Sequence, residues 1–321
     1  MKRLVLALGL SLGGVLPASA QAPTVVADIP PVHSLVATVM GDVGAPELLV
    51  QPGASPHGYS MRPSEARALQ NADLVVWTGG TLTPWLASSI ETLGSDAMIV
   101  ELLETEGTTR LDFRDGPIFG HEHEHGGHNH EHDHEHDESA HHGEAHDDHA
   151  HEGVDPHAWL DPQNAIVWTR HIADALAEAD PENAETYRNN AADAVADLQT
   201  LSDDIRTELS DVRAGGFVVF HDAYHYFEHR FGIPAAAALS VSDASDPSPA
   251  RIDTIRDQVA DLGVACVFAE PQFDPGLVES VFEGTVQTGV LDPLGIAYEP
   301  GASLYSDLLR GMARTIADCA G

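Results

Sequence analysis

Short apolar runs alternate with helical patterns in two separate stretches of the chain, and this alternation restricts the possible folds more than any other feature. The first stretch contains predicted strands at residues 24–29, 47–50, 73–78 and 98–102 and predicted helices at 32–40, 63–71 and 84–93. The second contains predicted strands at 216–220, 234–239, 264–269 and 288–291 and predicted helices from 222 and at 248–262, 275–282 and 303–319. Because strands that alternate with helices form parallel sheets, each stretch predicts an α/β lobe.

Two further helical patterns, 164–178 and 181–212, lie between these stretches. Asp180 and Pro181 suit the cap and first turn of the second helix, which at 1.5 Å per residue would be roughly 45 Å long. The sequence therefore predicts two α/β lobes, each a parallel sheet flanked by helices, joined by a long rigid helix. The predicted divisions are 21–160 for the N-terminal lobe, 163–212 for the linking helices and 213–321 for the C-terminal lobe.

The first twenty residues have the pattern of a secretory signal peptide. Lys2 and Arg3 precede an apolar run at 4–16, which is followed by the small residues 18–20. This run is shorter than the roughly 20 residues that a bilayer-spanning helix needs. We therefore expect cleavage after Ala20, export to the periplasm and no membrane insertion.

The charge of the chain excludes several partners. Asp and Glu total 51 against 15 Lys and Arg, for a formal net charge of -36 at pH 7. Nucleic-acid binding requires a basic face for phosphate contacts, and anionic membranes attract basic segments, so neither partner is expected. Cations are the natural partners of such a chain.

Histidine is concentrated in one acidic tract, residues 121–151. A segment with almost no apolar residues cannot offset its conformational entropy, so the tract predicts a disordered loop within the N-terminal lobe. It could be a low-affinity metal-binding loop that raises the local ion concentration, or a solvated spacer that binds metal incidentally. Its histidines are His121, His123, His125, His128, His130, His132, His134, His136, His141, His142, His146, His149 and His151.

The chain has two cysteines, Cys266 and Cys319. In an oxidising compartment two cysteines most simply form one disulfide bond, which here would restrict the unfolded chain by about 4 kcal/mol in the entropy model. A thiolate metal site is the alternative, but the wide separation and the absence of a C-x-x-C pair favour the disulfide.

Three histidines outside the tract have positions that suggest a metal site. His57 and His221 follow predicted strands of different lobes, and His157 directly precedes the linking helices. Ligands of open α/β sheets bind at the carboxyl ends of strands, so these imidazoles could meet between the lobes. Three neutral imidazoles suit Zn²⁺, with the fourth position taken by water or a carboxylate.

Two carboxylates follow predicted strands of the C-terminal lobe. Asp292 is the best candidate for a fourth ligand, and Glu270 could orient a histidine from outside the coordination shell. Residue patterns alone do not establish this site, because a single histidine is more often structural or solvated. The remaining histidines of the two lobes are interpreted as surface or core residues: His33, His171, His225 and His229.

Several motifs resemble those of the periplasmic zinc-binding proteins of ABC importers, of the ZnuA type. They are P-G-A-S-P-H-G-Y-S-M-R-P-S around His57, D-P-H-A-W-L-D-P around His157, F-H-D-A-Y-H-Y-F around His221, F-A-E-P-Q-F and L-D-P-L-G, and they are accompanied by two late cysteines and an acidic histidine insertion. The resemblance covers essentially the whole chain after the signal peptide. It implies that the three motif histidines bind one Zn²⁺ between the lobes, that a long helix restrains the hinge, and that a membrane permease receives the ion from a monomeric carrier.

Two details of the motifs bear on metal choice. Manganese-type relatives replace the third histidine by a carboxylate, so His221 supports zinc. Some zinc-type members place a further ligand, Glu, immediately before the first histidine, where this chain has Pro56. The fourth ligand is therefore water or Asp292, and the residues leave that choice open.

Two other functions remain as alternatives to an importer component. A secreted zinc hydrolase would also use three histidines and an open position, with Glu270 or Asp222 as its general base. The H-E-x-x-H pattern occurs only within the histidine tract, at 121–125 and 130–134, where repeated His and Glu produce it and no helix is predicted. We therefore expect no enzyme activity. A periplasmic zinc buffer or metallochaperone without a transporter is the second alternative. For an importer component, we expect docking on the permease to withdraw His57 or His221 and release the ion.

Overall fold

The computed structural model describes residues 22–114, 116, 118–119, 153–240, 248–273, 278, 282 and 286–321. The predicted signal peptide, 1–20, and the histidine tract, 121–151, lie outside the described residues. So does most of the helix predicted at 275–282, although Val278 and Phe282 are described and are both helical. Within the described part of the chain, no helix has the length and apolar character needed to cross a bilayer.

The first sheet contains four parallel strands in the order β2-β1-β3-β4. Its carboxyl edge faces the region where the candidate ligands lie. The predicted elements are all present, with strands shorter by one to three residues than expected. The elements are β1 (Val25–Ala27), α1 (Pro30–Met40), β2 (Glu47–Leu48), α2 (Pro63–Gln70), β3 (Leu74–Trp77), α3 (Pro84–Leu93) and β4 (Met98–Glu101).

Burial explains which strands are central. Every residue of β1 and β3 is buried, as their continuous apolar sequences predict for strands covered on both faces. The edge strands β2 and β4 are only partly buried. Proline begins α1, α2 and α3, a position where its missing N–H has no helical partner to lose.

The connection between the sheets is a pair of packed helices, α4 (Pro162–Ala179) and α5 (Ala184–Glu208). The prediction that the second helix begins at Pro181 is wrong. Asp180 instead ends α4, and its carboxylate accepts hydrogen bonds from Asn183 at 2.7 Å and the Tyr187 hydroxyl at 2.9 Å. These bonds fix a turn before the helix starts, so α5 spans about 37 Å rather than 45 Å.

The second sheet is again parallel, in the order β6-β5-β7-β8. It repeats the arrangement of the first sheet, with two fully buried central strands, β5 and β7. Its elements are β5 (Phe217–His221), α6 (His225–Phe231), β6 (Ala237–Ser240), α7 (Pro249–Leu262), β7 (Cys266–Ala269), β8 (Gln287–Val290) and α8 (Leu304–Ala320). The two sheets confirm the predicted fold class.

The C-terminal helix α8 joins the two halves of the molecule. A disulfide bond links Cys319 near its end to Cys266 at the start of β7, with the Cα atoms 5.7 Å apart, which confirms the predicted pairing. Helix α8 also packs against α1 and α5. At its amino end the Tyr305 N–H donates to the Ser34 hydroxyl of α1 at 3.0 Å, and the Tyr305 hydroxyl donates to the Trp159 carbonyl at 2.7 Å. One hydrophobic core therefore includes residues of both sheets.

Candidate metal centre

His221 is the last residue of the buried strand β5, so its ring stands at the carboxyl edge of the second sheet. Its Nδ1 lies 2.6 Å from Oε1 of Glu270, which follows the neighbouring strand β7. The Gln272 amide donates to the other Glu270 oxygen at 2.7 Å. Both His221 and Glu270 are buried. A proton on Nδ1, shared with the carboxylate, leaves Nε2 as the lone-pair nitrogen.

His157 is held in the same way from the other side. Its Nδ1 lies 2.7 Å from Oδ1 of Asp155, and its backbone N–H donates to that oxygen at 2.9 Å. A short 3₁₀ helix, Ala158–Leu160, starts immediately afterwards, and its Trp159 ring packs 5.2 Å from the imidazole, centroid to centroid. Both His157 and Asp155 are buried. The Nε2 atom of His157 is therefore also the one directed to a ligand.

The two Nε2 atoms, of His157 and His221, lie 3.4 Å apart. Two nitrogens bound at 2.0–2.1 Å to one tetrahedral Zn²⁺ would be about 3.3 Å apart. The pair therefore has the spacing of two ligands of one ion, while its Nδ1 atoms have the carboxylate partners that zinc-binding histidines usually have. We call His157 and His221 the histidine pair.

His57 approaches the histidine pair from a loop between β2 and α2. Its ring centroid lies 5.7 Å from that of His157, which in turn lies 5.3 Å from that of His221. Beside His57, the loop contacts α3 through the Trp85 indole N–H, which donates to the Pro56 carbonyl at 2.7 Å. The Tyr59 hydroxyl further along donates to Glu65 at 2.8 Å.

The structure thus brings together the three histidines that the sequence singled out, from the first lobe, the start of the linking segment and the second lobe. Among the described residues, no set of three His, Cys, Asp or Glu side chains stands in a finished coordination geometry. The histidine pair already has ligand spacing, and the His57 ring lies beside it, 5.7 Å from that of His157 between centroids. The role of all three as zinc ligands stays a prediction.

Asp292, the candidate fourth ligand, occupies a backbone turn just after β8. Its Oδ1 accepts from the N–H groups of Leu294 at 3.1 Å and Gly295 at 2.8 Å, and Oδ2 accepts from the Ala297 N–H at 3.3 Å. Its carboxylate therefore already stabilises the turn. A carboxylate has further lone pairs, so these bonds leave open whether Asp292 or water completes the shell.

Buried charges around the histidine pair shift two neighbouring groups. Burial alone would raise the pKa of Asp155, but the electrostatic attraction of His157 and hydrogen bonds from His157 and His225 lower it to about 2. Burial, together with the negative charges of Glu270 and Asp292, raises the pKa of Tyr224 well above its ordinary value. The site therefore keeps Asp155 ionised and Tyr224 protonated, and it surrounds the rings with negative charge that favours a cation.

Two residues at the centre escaped the sequence analysis. Asp155 was missed although it stands two residues before His157, because an Asp before Pro also suits an ordinary turn. Arg114 was missed because it lies alone before the histidine tract. The interpretation of the remaining histidines as surface or core residues holds for three of them: His33 is buried, with its Nε2 3.0 Å from the Pro46 carbonyl oxygen, and His171 and His229 are exposed. His225 is half-buried, and its Nδ1 lies 3.7 Å from the Asp155 carboxylate.

The chain is similar to zinc-uptake proteins over nearly its whole length. A family model described as zinc-uptake complex component A, periplasmic, matches residues 25–319. A relative from Paracoccus denitrificans, named high-affinity zinc uptake system protein ZnuA, is 48% identical, and the match covers 98% of each chain. A relative of the same name from Brucella abortus (strain 2308) is 45% identical over 92% of this chain and 91% of its own.

The fold is also similar to that of a solved structure with the same name as these relatives. A solved structure described as the crystal structure of ZnuA superposes with a TM-score of 0.73 at 24% identity, covering 94% of this chain and 100% of the other. At this identity the likeness concerns the fold alone. The family match and the two relatives establish membership: the chain belongs to the ZnuA family, the periplasmic component A of zinc-uptake complexes.

Proposed function

We propose that this protein captures Zn²⁺ in the periplasm and delivers it to the membrane permease of an ABC importer. Its relatives carry the name high-affinity zinc uptake system protein, and its buried imidazoles suit that ion. Zinc is the cargo of such a protein, so the site must bind tightly and still release.

His57, His157 and His221 are the proposed ligands. The observation that carries this assignment is the 3.4 Å separation of two Nε2 atoms whose Nδ1 partners are buried carboxylates. Glu270 is the proposed orienting partner of His221. Asp292 or a water molecule takes the fourth position, and a labile fourth position is what distinguishes an exchangeable site from a closed structural one.

The contacts of two carboxylates favour a carrier over a hydrolase. A hydrolase would need a general base beside a zinc-bound water. Glu270 is engaged by His221 and Gln272, and Asp222 is engaged by Arg114. We therefore propose that the protein has no enzyme activity, and esterase, phosphatase and lactamase assays of the zinc form should all be negative.

We propose three further points, which concern the mature protein and the histidine tract. The signal peptide is cleaved after Ala20, the mature chain is a monomer with the lobe divisions given above, and the tract 121–151 binds additional zinc weakly. Deleting residues 121–151 should remove the weak equivalents and leave one tight site. Loss of the tight site on deletion would contradict this division.

The decisive experiment replaces all three proposed ligands, His57, His157 and His221, by alanine in the full chain. We expect loss of tight zinc binding in competition with a chelator, and failure to restore growth of a strain that lacks its own zinc-binding component in zinc-poor medium. His171→Ala is the matched control, because His171 is exposed on α4. Undiminished affinity in the triple variant would overturn the ligand assignment.

Growth results separate the importer from the buffer. A buffer that works without a transporter would protect cells whether or not the permease gene is present. For an importer component, the benefit of the wild-type protein in zinc-poor medium should disappear when the permease gene is deleted. A benefit that persists without any permease would favour the buffer.

A further inference from the structure

A buried cluster of three charged side chains lies beside the histidine pair and has no part in the function proposed so far. Arg114 donates from Nε to both oxygens of Asp222 at 3.0 Å, and from Nη1 to Glu228 at 2.6 Å. The Arg114 side chain is 14% exposed, while Asp222 and Glu228 are buried. We call these three residues the Arg114 cluster.

The carboxylates of the Arg114 cluster belong to the second lobe. Asp222 is the residue after His221, and Glu228 lies in the middle of α6. The Glu228 carboxylate also accepts from the Ala235 N–H at 2.9 Å, so it connects α6 to the approach of β6. Burial would lower the pKa of Arg114, but Glu228 and Asp222 raise it above its ordinary value. The guanidinium therefore remains charged.

Arg114 itself follows one strand of a short ribbon whose other strand leads to His157. Residues 111–113 run antiparallel to residues 153–155 and form a short ribbon, with Asp112 bridging Val154. The Asp155 N–H donates to the Leu111 carbonyl at 2.8 Å, which ends the ribbon at the carboxylate that orients His157. Arg114 thus joins the ribbon of His157 to the turn of His221.

Two more contacts fix α6 to the same segment. The Tyr226 hydroxyl accepts from the Leu111 N–H at 2.9 Å and donates to the Asp155 carbonyl at 2.8 Å. On the other side of His157, Arg230 makes two hydrogen bonds of 2.6 Å with the buried carboxylate of Asp161. The segment 155–161 is therefore attached to α6 at both ends.

We infer that Arg114 is a positioning residue, which holds the turn after His221 against the ribbon that leads to His157, so that two of the three zinc ligands are assembled before the ion arrives. This inference rests on the proposed function. It also makes His57, on its separate loop, the ligand that moves when zinc enters and leaves. The expectation that docking withdraws either His57 or His221 is thereby narrowed to His57.

The first test measures zinc affinity by chelator competition well below the unfolding temperature. Arg114→Gln alone leaves two buried carboxylates without their partner and risks unfolding. The main variant therefore replaces all three charged side chains of the cluster by neutral ones of similar size: Arg114→Gln with Asp222→Asn and Glu228→Gln. We expect a 10- to 100-fold loss of affinity and an altered visible spectrum of the Co²⁺ form, because outer partners of metal ligands carry effects of that size. The matched control neutralises an exposed ion pair of α5, Asp203→Asn with Arg206→Gln.

A merely structural role would lower the unfolding temperature without changing affinity or the Co²⁺ spectrum, and that result would overturn the inference. His221→Ala, measured in parallel, separates the two proposals. If His221→Ala loses affinity and the neutral variant does not, only the inference fails. If His221→Ala also retains full affinity, the proposed function fails.

The second test needs no variant. Amide hydrogen exchange of the wild-type protein with and without Zn²⁺ should show residues 155–161 and 222–231 equally protected in both states. Protection of the loop at 51–62 should rise when zinc binds. If 155–161 and 222–231 gain as much protection as the loop, the pair is assembled by the ion and the inference is wrong.

Discussion

The two sides of the metal centre are built differently. His157 and His221 each place Nδ1 within hydrogen-bond distance of a buried carboxylate and stand on segments joined by the Arg114 cluster. His57 stands on a separate loop, whose contacts through the Pro56 carbonyl and the Tyr59 hydroxyl lead to α3 and α2 of the first lobe and not to the segments of the pair. A rigid pair gives affinity and choice of metal, because its geometry needs no rearrangement on binding.

The loop side supplies the exchange that a carrier needs. Restricting the loop of His57 further when zinc binds costs conformational entropy, which reduces the net gain in binding free energy from this ligand. The same cost lowers the barrier to losing that ligand first. Tight capture and ready release therefore reside in different elements of the molecule.

The largest effect should come from removing one ring of the pair. A structural zinc site of four ligands is worth about 10–16 kcal/mol, or roughly 2.5 to 4 kcal/mol for each ligand. His157→Ala or His221→Ala should therefore lower zinc affinity about 60-fold to about 700-fold. His57→Ala should cost less than either change, because the loop then no longer has to be restricted further on binding. Chelator competition measures all three, and a larger loss for His57→Ala would refute the comparison.

The next effect is on folding stability, because two buried carboxylates have pKa values that are shifted in opposite directions. Burial raises the pKa of Asp28 to about 6, although hydrogen bonds from the Thr78 and Ile29 N–H groups oppose the rise. A raised carboxylate pKa means that the folded state binds the proton more tightly, so stability falls as pH rises from about 4 to 6, by about 3 kcal/mol. The lowered pKa of Asp155 acts in the opposite sense: its contribution is complete above about pH 4 and is lost as pH falls toward 2.

Urea unfolding of the metal-free protein measures both contributions. The stability difference between wild type and Asp28→Asn should move in favour of the wild type as pH is lowered from 7 to 4. The difference between wild type and Asp155→Asn should shrink below pH 4. Parallel pH profiles for the two variants would show that the pKa shifts do not have opposite signs.

The orienting carboxylates of the pair should give a smaller effect than the ligands. Asp155→Asn and Glu270→Gln keep the size of each side chain but weaken the hold on Nδ1, so zinc affinity should fall 10- to 100-fold. Glu65→Gln, a buried carboxylate of the loop side, is the control and should cost less than tenfold, because it contacts Tyr59 and Arg62 rather than a ligand. An equal loss in all three variants would mean that the loop is as preorganised as the pair.

The smallest change in zinc affinity should follow removal of the disulfide bond. Replacing Cys266 and Cys319 by alanine should lower the unfolding free energy by about 4 kcal/mol in the entropy model. Cys266 begins β7 and Glu270 follows the other end of that strand, about 13 Å away, so affinity should change less than about threefold. Thermal unfolding and chelator competition on the same sample test both statements.

Much of the fold was predictable because its strands are local apolar runs. The sequence of β3 is continuous and apolar, and all four of its residues are buried. The order of the strands was not predictable in the same way, since it depends on contacts between distant residues. The start of α5 was mispredicted at Pro181 because the hydrogen bonds of Asp180 to Asn183 and Tyr187, which fix the turn, cannot be recognised from helical propensity.

The candidate site also has a part that the sequence predicts and a part that it does not. His57, His157 and His221 could be found because motif and strand position coincide. Their partners are harder to find, because Asp155 and Arg114 act through geometry that the chain builds only when folded. The pairing of His221 with Glu270 could be anticipated from the sequence, because both residues follow predicted strands of the same sheet. The structure places those strands, β5 and β7, next to each other.

The short ribbon has a consequence for how this chain can change. Because residues 111–113 and 153–155 lie side by side, the length of sequence between them can vary without displacing Asp155. Doubling the length of such an insertion costs only about 0.6 kcal/mol in closure entropy. Evolution can thus lengthen, shorten or rewrite the part of this insertion that follows Phe119 cheaply, because Arg114 and the bridge from Ile118 to Ala237 lie before it. The same part offers a permissive place to graft a fluorescent reporter onto the protein.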